Sequence, residues 1–566
     1  MPFRSPLADL RFQLDHVAGF ARVAAQDRFA QAAPDVVDAV LSEAARLCDG
    51  VLAPLDAVGD RHPARLEDGV VRTPPGFAEG YRAIAEGGWI GLAAPPEWGG
   101  QGLPRALATA VNDMMSGACL ALQLNPLMSQ GQIEALAAHA SPGLQRLYLP
   151  RLVSGEWTGT MNLTEPAAGS DVGALRTRAE PGGDGAFAVT GEKQFITWAD
   201  NDFSANVCHL VLARLPGAAP GSRGVSLFLV PKLIPDARGE PGARNAVRVL
   251  KLEDKLGLHG SPTAAVAFEG ARGSIVGAPG GGLAAMFTMM NAARLGVGAQ
   301  GVGVAEAATQ AALAWAEARV QGRTEDGTGR IVGHPDVRRM LAGMRAETFA
   351  ARAICLDCAV ALDMAEATGE PAWAARAALL TPIAKAFGTD VGHRVAQAGI
   401  QVHGGMGYVE ETGAARLARD VRVTQIYEGT NGIQALDLVS RKLADGGEAA
   451  SRLLDEVAED CEGMRGSALA EPVWQAVEGL REATEWMAGA GAPDRAAGAT
   501  AYLGAFARVL GARAHLRAAG AAPGTGRERL AAFYVRRLLP EHAGLLGEAR
   551  DGAGAVMAVS PGDLAA

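Results

Sequence analysis

Three segments of this 566-residue chain combine residue types that packing alone does not demand. The first, Met161-Asn162-Leu163-Thr164-Glu165-Pro166-Ala167-Ala168-Gly169-Ser170-Asp171, carries small residues that let main-chain N–H groups approach a ligand. Thr164 and Ser170 add hydroxyls that can donate or accept. The second, Gln194-Phe195-Ile196-Thr197-Trp198, reads as a strand that delivers a flat aromatic, Phe195, and a hydroxyl, Thr197, on one face. The third, Gln425-Ile426-Tyr427-Glu428-Gly429-Thr430-Asn431-Gly432, sets a carboxylate between an aromatic and a glycine, just before a helix that Thr430 or Asn431 can cap. Taken singly, each has a plain alternative: a polar turn, an ordinary strand, and a solvated acid at a helix start.

The elements that must position these segments change in texture along the chain. Residues 1–155 show helical spacing, as in Val36, Val37, Val40, Leu41, Ala44 and Leu47, broken by turn clusters such as Thr73-Pro74-Pro75-Gly76. Residues 156–278 carry short β-branched or aromatic runs, 187–190, 207–212, 225–230 and 264–268, which predict a β domain; 216–224 and 235–244 read as surface loops. The helical period returns over 279–445, with candidates at 283–315, 337–364, 373–398 and 433–443. After a break at Asp445-Gly446-Gly447, residues 446–566 read as a fourth, Ala-rich helical unit with a loop at 523–526. No strand-helix alternation repeats, which disfavours a doubly wound sheet. Gly296-Val297-Gly298-Ala299-Gln300-Gly301 sits inside a helical run and follows no strand, so close helix packing is expected there rather than a dinucleotide turn.

Composition narrows the function. The length predicts about three to five packed units and room for a large cofactor. A net charge of −10, from 52 Lys and Arg against 62 Asp and Glu, gives no electrostatic basis for nucleic acid or an anionic membrane as main partner. No run of about 18 apolar residues lacks a charge, so no membrane span is expected. Arg4, Asp9, Arg11, Asp15 and His16 interrupt Met1 to Phe20, which argues against a secretory leader and sets the cytoplasm as the default. Six cysteines are too few for a disulfide framework, and the close pair Cys355 and Cys358 lacks further ligands beside it, so buried helical thiols are expected rather than zinc.

Together, and in this order, the segments resemble the acyl-CoA dehydrogenase family over about residues 80–445. Leu163-Thr-Glu-Pro-x-x-Gly-Ser-Asp, Phe195-Ile-Thr, Arg294, Arg319, Gln401-Val-His-Gly-Gly-Met-Gly-Tyr and Ile426-Tyr-Glu-Gly-Thr all fall in family order. The opening around Phe12, Lys255-Leu-Gly-Leu-His-Gly-Ser-Pro-Thr and the extra C-terminal unit look most like the 3-methylmercaptopropionyl-CoA dehydrogenase branch. The resemblance implies a mostly α, multidomain fold with a middle β-barrel-like domain. It also implies non-covalent FAD and removal of the α and β hydrogens of an acyl-CoA as a proton and a hydride.

Carried over position by position, the resemblance makes Glu428 the base, with its backbone N–H helping to hold the thioester carbonyl and Tyr427 and Gly429 flanking the substrate. Met161, Leu163 and Thr164 would line the flavin, Ser170 would lie near the phosphate side of the ligands, and Phe195 and Thr197 would cover the far flavin face. The family often has Trp where Phe195 stands, and Gly432 replaces a frequent Gln. Arg319 and Gln321 would reach the FAD of a neighbouring subunit, Gln401, Gly404 and Gly405 would cradle its adenosine part, and Thr430 would touch FAD again. Asn291 and Arg294 would meet the CoA end and the catalytic loop. A shared site implies an obligate oligomer; the C-terminal helices favour a dimer, and an electron-transferring flavoprotein is the family's usual acceptor.

Other roles compete for some residues. His403 and His259 read as core or loop histidines, and Cys119 and Met115 as core rather than tunnel lining. Alternatives to the dehydrogenase are an acyl-CoA oxidase, a monooxygenase-type or nitroalkane-oxidising relative, a non-catalytic scaffold and a DNA-associated flavoprotein of the adaptive-response type. The DNA reading needs a basic C-terminal surface. Arg513, Arg517, Arg527, Arg529, Arg536 and Arg537 cluster there, yet the acids 455–462 precede them, so a solvated face or a subunit contact is expected.

Overall fold

The computed structural model describes residues 3–183 and 185–565, so Met1 and Ala566, the outer bounds of the first and last expected units, lie outside it. In the first unit, α1 (Pro34–Leu47) starts with proline in its first turn and buries Val37, Leu41 and Ala44. After α2 (Phe77–Glu86) comes α3 (Arg105–His139), buried along most of its length and broken at Cys119, whose φ of −158° and ψ of 89° leave the helical region. The unit is not wholly helical. Arg65–Glu67 and Val70–Arg72 form a hairpin, and the turn between them is Asp68-Gly69, with φ of 51° and 73°. That dipeptide is a strong hairpin signal, overlooked among the surrounding helical periodicity.

Among the described residues, the main sheet of the middle unit has seven strands: β1 (Trp157–Asn162), β2 (Arg178–Pro181), β3 (Phe187–Thr197), β4 (Asn206–Arg214), β5 (Val225–Pro231), β6 (Val247–Leu252) and β7 (Thr263–Val276). Pairing runs β7–β3–β2–β4–β5 and back to β7, closing the circuit that makes the domain barrel-like; β1 adds parallel to β4 and β6 antiparallel to β7. Val189, Val211, Phe228, Val230, Val266 and Phe268 fill its interior. The segment expected as a loop at 235–244 instead contains a strand, Pro241–Arg244, paired with Leu233–Pro235. The Asp236 carboxylate accepts the N–H groups of Arg238 and Glu240, and Gly239 takes φ of 80°, so a tight turn hides in a Gly/Pro-rich stretch.

Three long helices, α4 (Gly282–Ala318), α5 (Pro335–Thr368) and α6 (Pro371–His403), pack with α3 into the bundle. Close approach explains the glycine run: a Cβ on Gly298 would lie 2.7 Å from the Ala384 carbonyl oxygen, and one on Gly301 would lie 2.2 Å from that of Gly388. Buried Arg352 on α5 ties the helices together through Asp113 at 2.7 Å, Glu306 at 3.1 Å and Asp9 at 2.9 Å. The short helices α7 (Ala414–Val421) and α8 (Asn431–Asp437) follow, the latter running into a wider turn at Leu438–Lys442.

The last unit comprises α9 (Glu448–Gly463), α10 (Ala470–Gly489), α11 (Ala492–Ala521), α12 (Gly526–Arg537) and α13 (Glu541–Asp551). Three of its six clustered arginines depart from the expected solvated face or subunit contact. Arg513 is 3% exposed and pairs with Asp460 at 2.6 Å and Glu456 at 2.7 Å. Arg517 also reaches Asp460 and donates to the Val17 carbonyl, while Arg527 reaches Asp9 and lies 3.6 Å from the Phe12 ring centre. Only Arg529, Arg536 and Arg537 of the six face solvent. The acids of α9 and Asp9 are the partners that turn Arg513, Arg517 and Arg527 inward.

Candidate active site

Two strand ends and one loop place the chemistry. Past β1 the chain turns through Leu163–Asp171, anchored by Glu165, whose carboxylate accepts the N–H groups of Arg176 and Thr177, the Thr177 hydroxyl at 2.6 Å and the Lys193 ammonium at 2.9 Å. Burial works to raise the Glu165 carboxyl, but Lys193 and Thr177 outweigh it and hold it below its ordinary value. Burial pushes Lys193 down to about 8 against the pull of Glu165. Lys193 also donates to the Leu163 carbonyl at 3.0 Å, and the Gln194 N–H donates to that of Thr164 at 2.8 Å.

Those ties hold Leu163 and Thr164 against the strand end that carries Phe195 and Thr197, a ledge that Met161 precedes at the end of β1. Phe195 has φ of 60° and is 58% exposed, an unusual state for a large aromatic in a strand. The Thr160 hydroxyl holds the Thr197 carbonyl at 2.7 Å, and the Trp198 indole donates to the Ala121 carbonyl at 3.2 Å, fixing the ledge to α3. Ser170 stands exposed beyond the turn.

Opposite in sequence, Glu428 occupies the loop ahead of α8. Its φ of 55° and that of Gly429, 83°, put two successive residues in the left-handed region, and a Cβ on Gly429 would lie 2.8 Å from the Gln434 amide nitrogen. The Thr430 hydroxyl caps α8 by accepting the Ile433 N–H. Gln434 donates to the Glu428 carbonyl at 3.1 Å; Lys385 donates to the Gly429 carbonyl at 2.9 Å and the Asn431 side chain at 2.8 Å. The Tyr427 hydroxyl donates to Gln300 on α4. Burial raises the Glu428 carboxyl to about 7, opposed in part by Arg294 and Lys385, and burial lowers the Lys385 ammonium to about 7.

Arg294 is buried, 3.5 Å from Asp437 and 3.4 Å from the Asn291 oxygen, so it is not a surface cation. Exposed Asn291 lines a cavity of about 800 Å³ between α3, α4 and the 90–98 segment, with Trp98, Gln130 and Leu295. Arg319, Gln321, Gln401, Gly404 and Gly405 are all exposed and lie where α4 and α6 end, near the Trp315 ring stacked on His403. Arg319 is 25 residues beyond Arg294, about 37 Å along a helix, so one chain does not bring this group to its own Glu428 loop.

The remaining candidates have structural surroundings. Cys119 and Met115 are core, and neither lines the cavity. Cys355 and Cys358 are buried on α5, and among the described residues no group of three or more His, Cys, Asp or Glu could hold a metal. His403 bonds the Gly399 carbonyl, and His259 sits between Asp60 and the Lys255 carbonyl. Sequence reasoning passed over Lys193, Lys385 and Gln300. Each lies in an ordinary-looking strand or helix, and only the pairing of distant elements reveals its role.

The chain is similar to known proteins along most of its length. In chain order it matches the acyl-CoA dehydrogenase N-terminal domain over 38–156, the middle domain over 160–271, the C-terminal domain over 280–443 and an acetyl-CoA dehydrogenase C-terminal-like domain over 453–560. It is 42% identical over 492 residues to the 3-methylmercaptopropionyl-CoA dehydrogenase of Ruegeria pomeroyi, covering 85% of this chain and 84% of that one. It is 35% identical over 456 residues to a butyryl-CoA dehydrogenase of Syntrophomonas wolfei, covering 77% and 74%. The fold is that of Caenorhabditis elegans ACDH-11 solved with C11-CoA, at a TM-score of 0.80 and 21% identity over 95% of this chain and 92% of that one. The chain belongs to the acyl-CoA dehydrogenase family and is an oxidoreductase of that family.

Proposed function

We propose that this protein oxidises an acyl-CoA thioester to the trans-2,3-enoyl-CoA with FAD as its resident cofactor. One observation carries the reading: Glu428, a carboxylate raised by burial to about 7, is held on a loop pinned from α4 and α6. A base of that strength can accept the weakly acidic α-proton of a thioester while still ionising near neutral pH. Arg294 and Lys385 stabilise its anion, and the two left-handed residues, Glu428 and Gly429, turn the main chain so that the Glu428 N–H can support the thioester carbonyl.

The residues fit FAD on two counts. Phe195 offers an exposed ring beside Thr197 and Thr164 for a planar ring system. Gly404 and Gly405, just past the end of α6, leave open space where a Cβ would stand, and exposed Arg319 follows the end of α4, as close approach to a pyrophosphate and adenosine requires. Bound there, FAD supplies the hydride acceptor at flavin N5. Met161, Leu163 and Thr164 then line the ring edge, Thr430 and Ser170 approach the ligands' polar ends, and Asn291 and Arg294 steady the CoA side. Because Arg319, Gln321, Gln401, Gly404 and Gly405 stand far from Glu428 in one chain, a second copy supplies them, in a dimer whose acceptor is an electron-transferring flavoprotein.

The division at 155, 278 and 445 and a cytoplasmic setting belong to this reading; no helix among the described residues is long and apolar enough to cross a membrane. The relatives point to 3-methylthiopropanoyl or a fatty acyl group as substrate. Inward-facing Arg513 and Arg517 weigh against the DNA-associated alternative. The test is anaerobic mixing with a panel of acyl-CoAs while following the flavin band at about 450 nm. The expected result is rapid bleaching by one acyl class, lost in Glu428→Gln with FAD retained. A yellow protein bleached by no acyl-CoA overturns the assignment of Glu428.

A further inference from the structure

The ledge and the base loop belong to different units, and a buried carboxylate joins them. Residues 253–262 lead into β7 and end on the ledge: the Trp198 N–H donates to the Pro262 carbonyl at 2.8 Å, and Thr263 pairs with Thr197. Midway along that segment, the Leu258 N–H donates at 2.6 Å to the carboxylate of Asp420, 5% exposed on α7. Leu258 has φ of 53°, a state that a bulky residue holds only when its surroundings impose it. A Cβ on Gly257 would lie 2.6 Å from the Arg419 carbonyl carbon, so the segment lies flat on the end of α7. From Asp420 the chain reaches Glu428 in eight residues with little slack. The Thr424 hydroxyl donates to the Val421 carbonyl at 2.6 Å, and the Ile426 and Tyr427 N–H groups both donate to the Val423 carbonyl. The α7 helix is fixed in turn: Arg416 pairs with Asp56 at 2.6 Å and Arg419 with Asp60 at 2.8 Å, both acids on the Ala53–Arg61 helix.

We propose that Asp420 is a positioning residue for the reaction: by holding Leu258 it sets the separation between the flavin ledge and Glu428. The inference rests on the function proposed above. Of the two hydrogens removed, the α-proton goes to Glu428 on the base loop, and the hydride goes to a flavin carried by the ledge. The thioester is held from the base loop through the Glu428 N–H. Proton abstraction therefore depends on that loop, whereas hydride transfer depends also on its distance from the ledge. Releasing Leu258 lets the two parts relax apart while each keeps its own residues. A second route, through α3 and α4, ties Trp198 to Ala121 and Tyr427 to Gln300, so loss of the Leu258 contact loosens the junction without dissolving it. Burial, and then Asp56, raise the Asp420 carboxyl, so an amide here forfeits little charge and its oxygen can still accept the Leu258 N–H.

The experiment follows two rates in anaerobic D2O with butanoyl-CoA, or with whichever acyl-CoA of the panel above reduces the wild type fastest. One is flavin reduction. The other is deuterium entry at Cα of the unoxidised thioester, in which the α-proton passes to Glu428 and a solvent deuteron replaces it with no transfer of electrons; Glu428→Gln supplies the blank. The proteins compared, all loaded with FAD, are the wild type, Asp420→Ala, Asp420→Asn and Gly257→Ala. In Asp420→Ala the ratio of exchange to reduction should rise about tenfold or more, because hydride transfer suffers most from a misplacement of about 1 Å. Gly257→Ala lifts the segment from α7 with Asp420 intact and should raise the ratio likewise, whereas Asp420→Asn should stay within about threefold of the wild type. Asp420→Ala that slows both rates in proportion overturns the positioning role, as does Asp420→Asn that behaves like Asp420→Ala. If Asp420→Ala does not hold FAD, Gly257→Ala decides by the same ratio. A wild type that no acyl-CoA reduces is a separate failure, which removes the proposed function together with this inference.

Discussion

Lys385 donates to the Gly429 carbonyl at 2.9 Å, one residue past Glu428, so the ammonium that holds the loop in its left-handed turn is also a charge the buried carboxylate feels. One side chain thus bears on both the position and the basicity of the proposed base, beside burial and Arg294. Burial depresses that ammonium to about 7, so both groups change charge in the same pH range.

The pH dependence follows from the sign of the Glu428 shift. Its active form is the anion, so flavin reduction should rise with pH through about 7 rather than through the ordinary carboxylate range. Lys385→Met removes an opposing charge, lets burial raise the carboxyl further and moves that limb up by about one pH unit, with a roughly fivefold loss of rate at neutral pH. Stopped-flow profiles of both proteins, with FAD content matched, check it; an unshifted limb would mean that Lys385 acts through the loop alone.

Lys193 and Glu165 make a buried pair, with side chains 0% and 7% exposed. Lys193→Met leaves the carboxylate uncompensated and should cost about 3 to 5 kcal/mol, seen as a fall of the denaturation midpoint, whereas Lys193→Met with Glu165→Gln should recover part of it. Because Lys193 also holds the Leu163 carbonyl, the single variant should lose FAD before it unfolds. Equal stability of the single and double variants would refute the pairing argument.

Arg513 is expected to be structural. Arg513→Ala leaves Asp460 to Arg517 and Glu456 to Arg376 alone, removes a buried side chain from α11 and should destabilise by about 1 to 3 kcal/mol. The initial rate of flavin reduction at low temperature, per FAD bound, should be unchanged. Limited proteolysis should cut first within residues 446–566; a variant as resistant as the wild type would show that the ion pairs do not secure this unit.

What was legible in the sequence was whatever local chemistry writes. Helical and strand periods exposed the bundle and barrel, the glycine run 296–301 announced close packing later seen against Ala384 and Gly388, and Thr430 showed itself as a cap. The Asp68-Gly69 hairpin was equally local but was masked by helical neighbours. Lys193, Lys385 and Gln300 could not be singled out, because a buried lysine or glutamine has meaning only through a partner on another element. The C-terminal arginines misled for the same reason. Their acids lie in α9 and near the N-terminus, and the spacing of the arginines alone describes a surface face equally well.

Distance along α4 leads to a sharper test of the shared site. Arg294 adjoins the base loop, and Arg319 lies about 37 Å further on, too far for both to serve one flavin from one chain. If Arg319 completes the site of a neighbouring copy, Arg319→Ala and Glu428→Gln are each inactive in different ways, the first through weakened FAD binding and the second through loss of the base. Mixed by unfolding and refolding, or by co-expression with two tags, they form hetero-oligomers in which one site has Glu428 from the first chain and Arg319 from the second. That site is wild type, while the other carries both lesions. Activity should therefore reappear in the doubly tagged fraction, approaching half the wild-type rate per dimer, with one tightly held FAD. If the flavin is held within a single chain, every site in the mixture keeps one lesion and no activity returns.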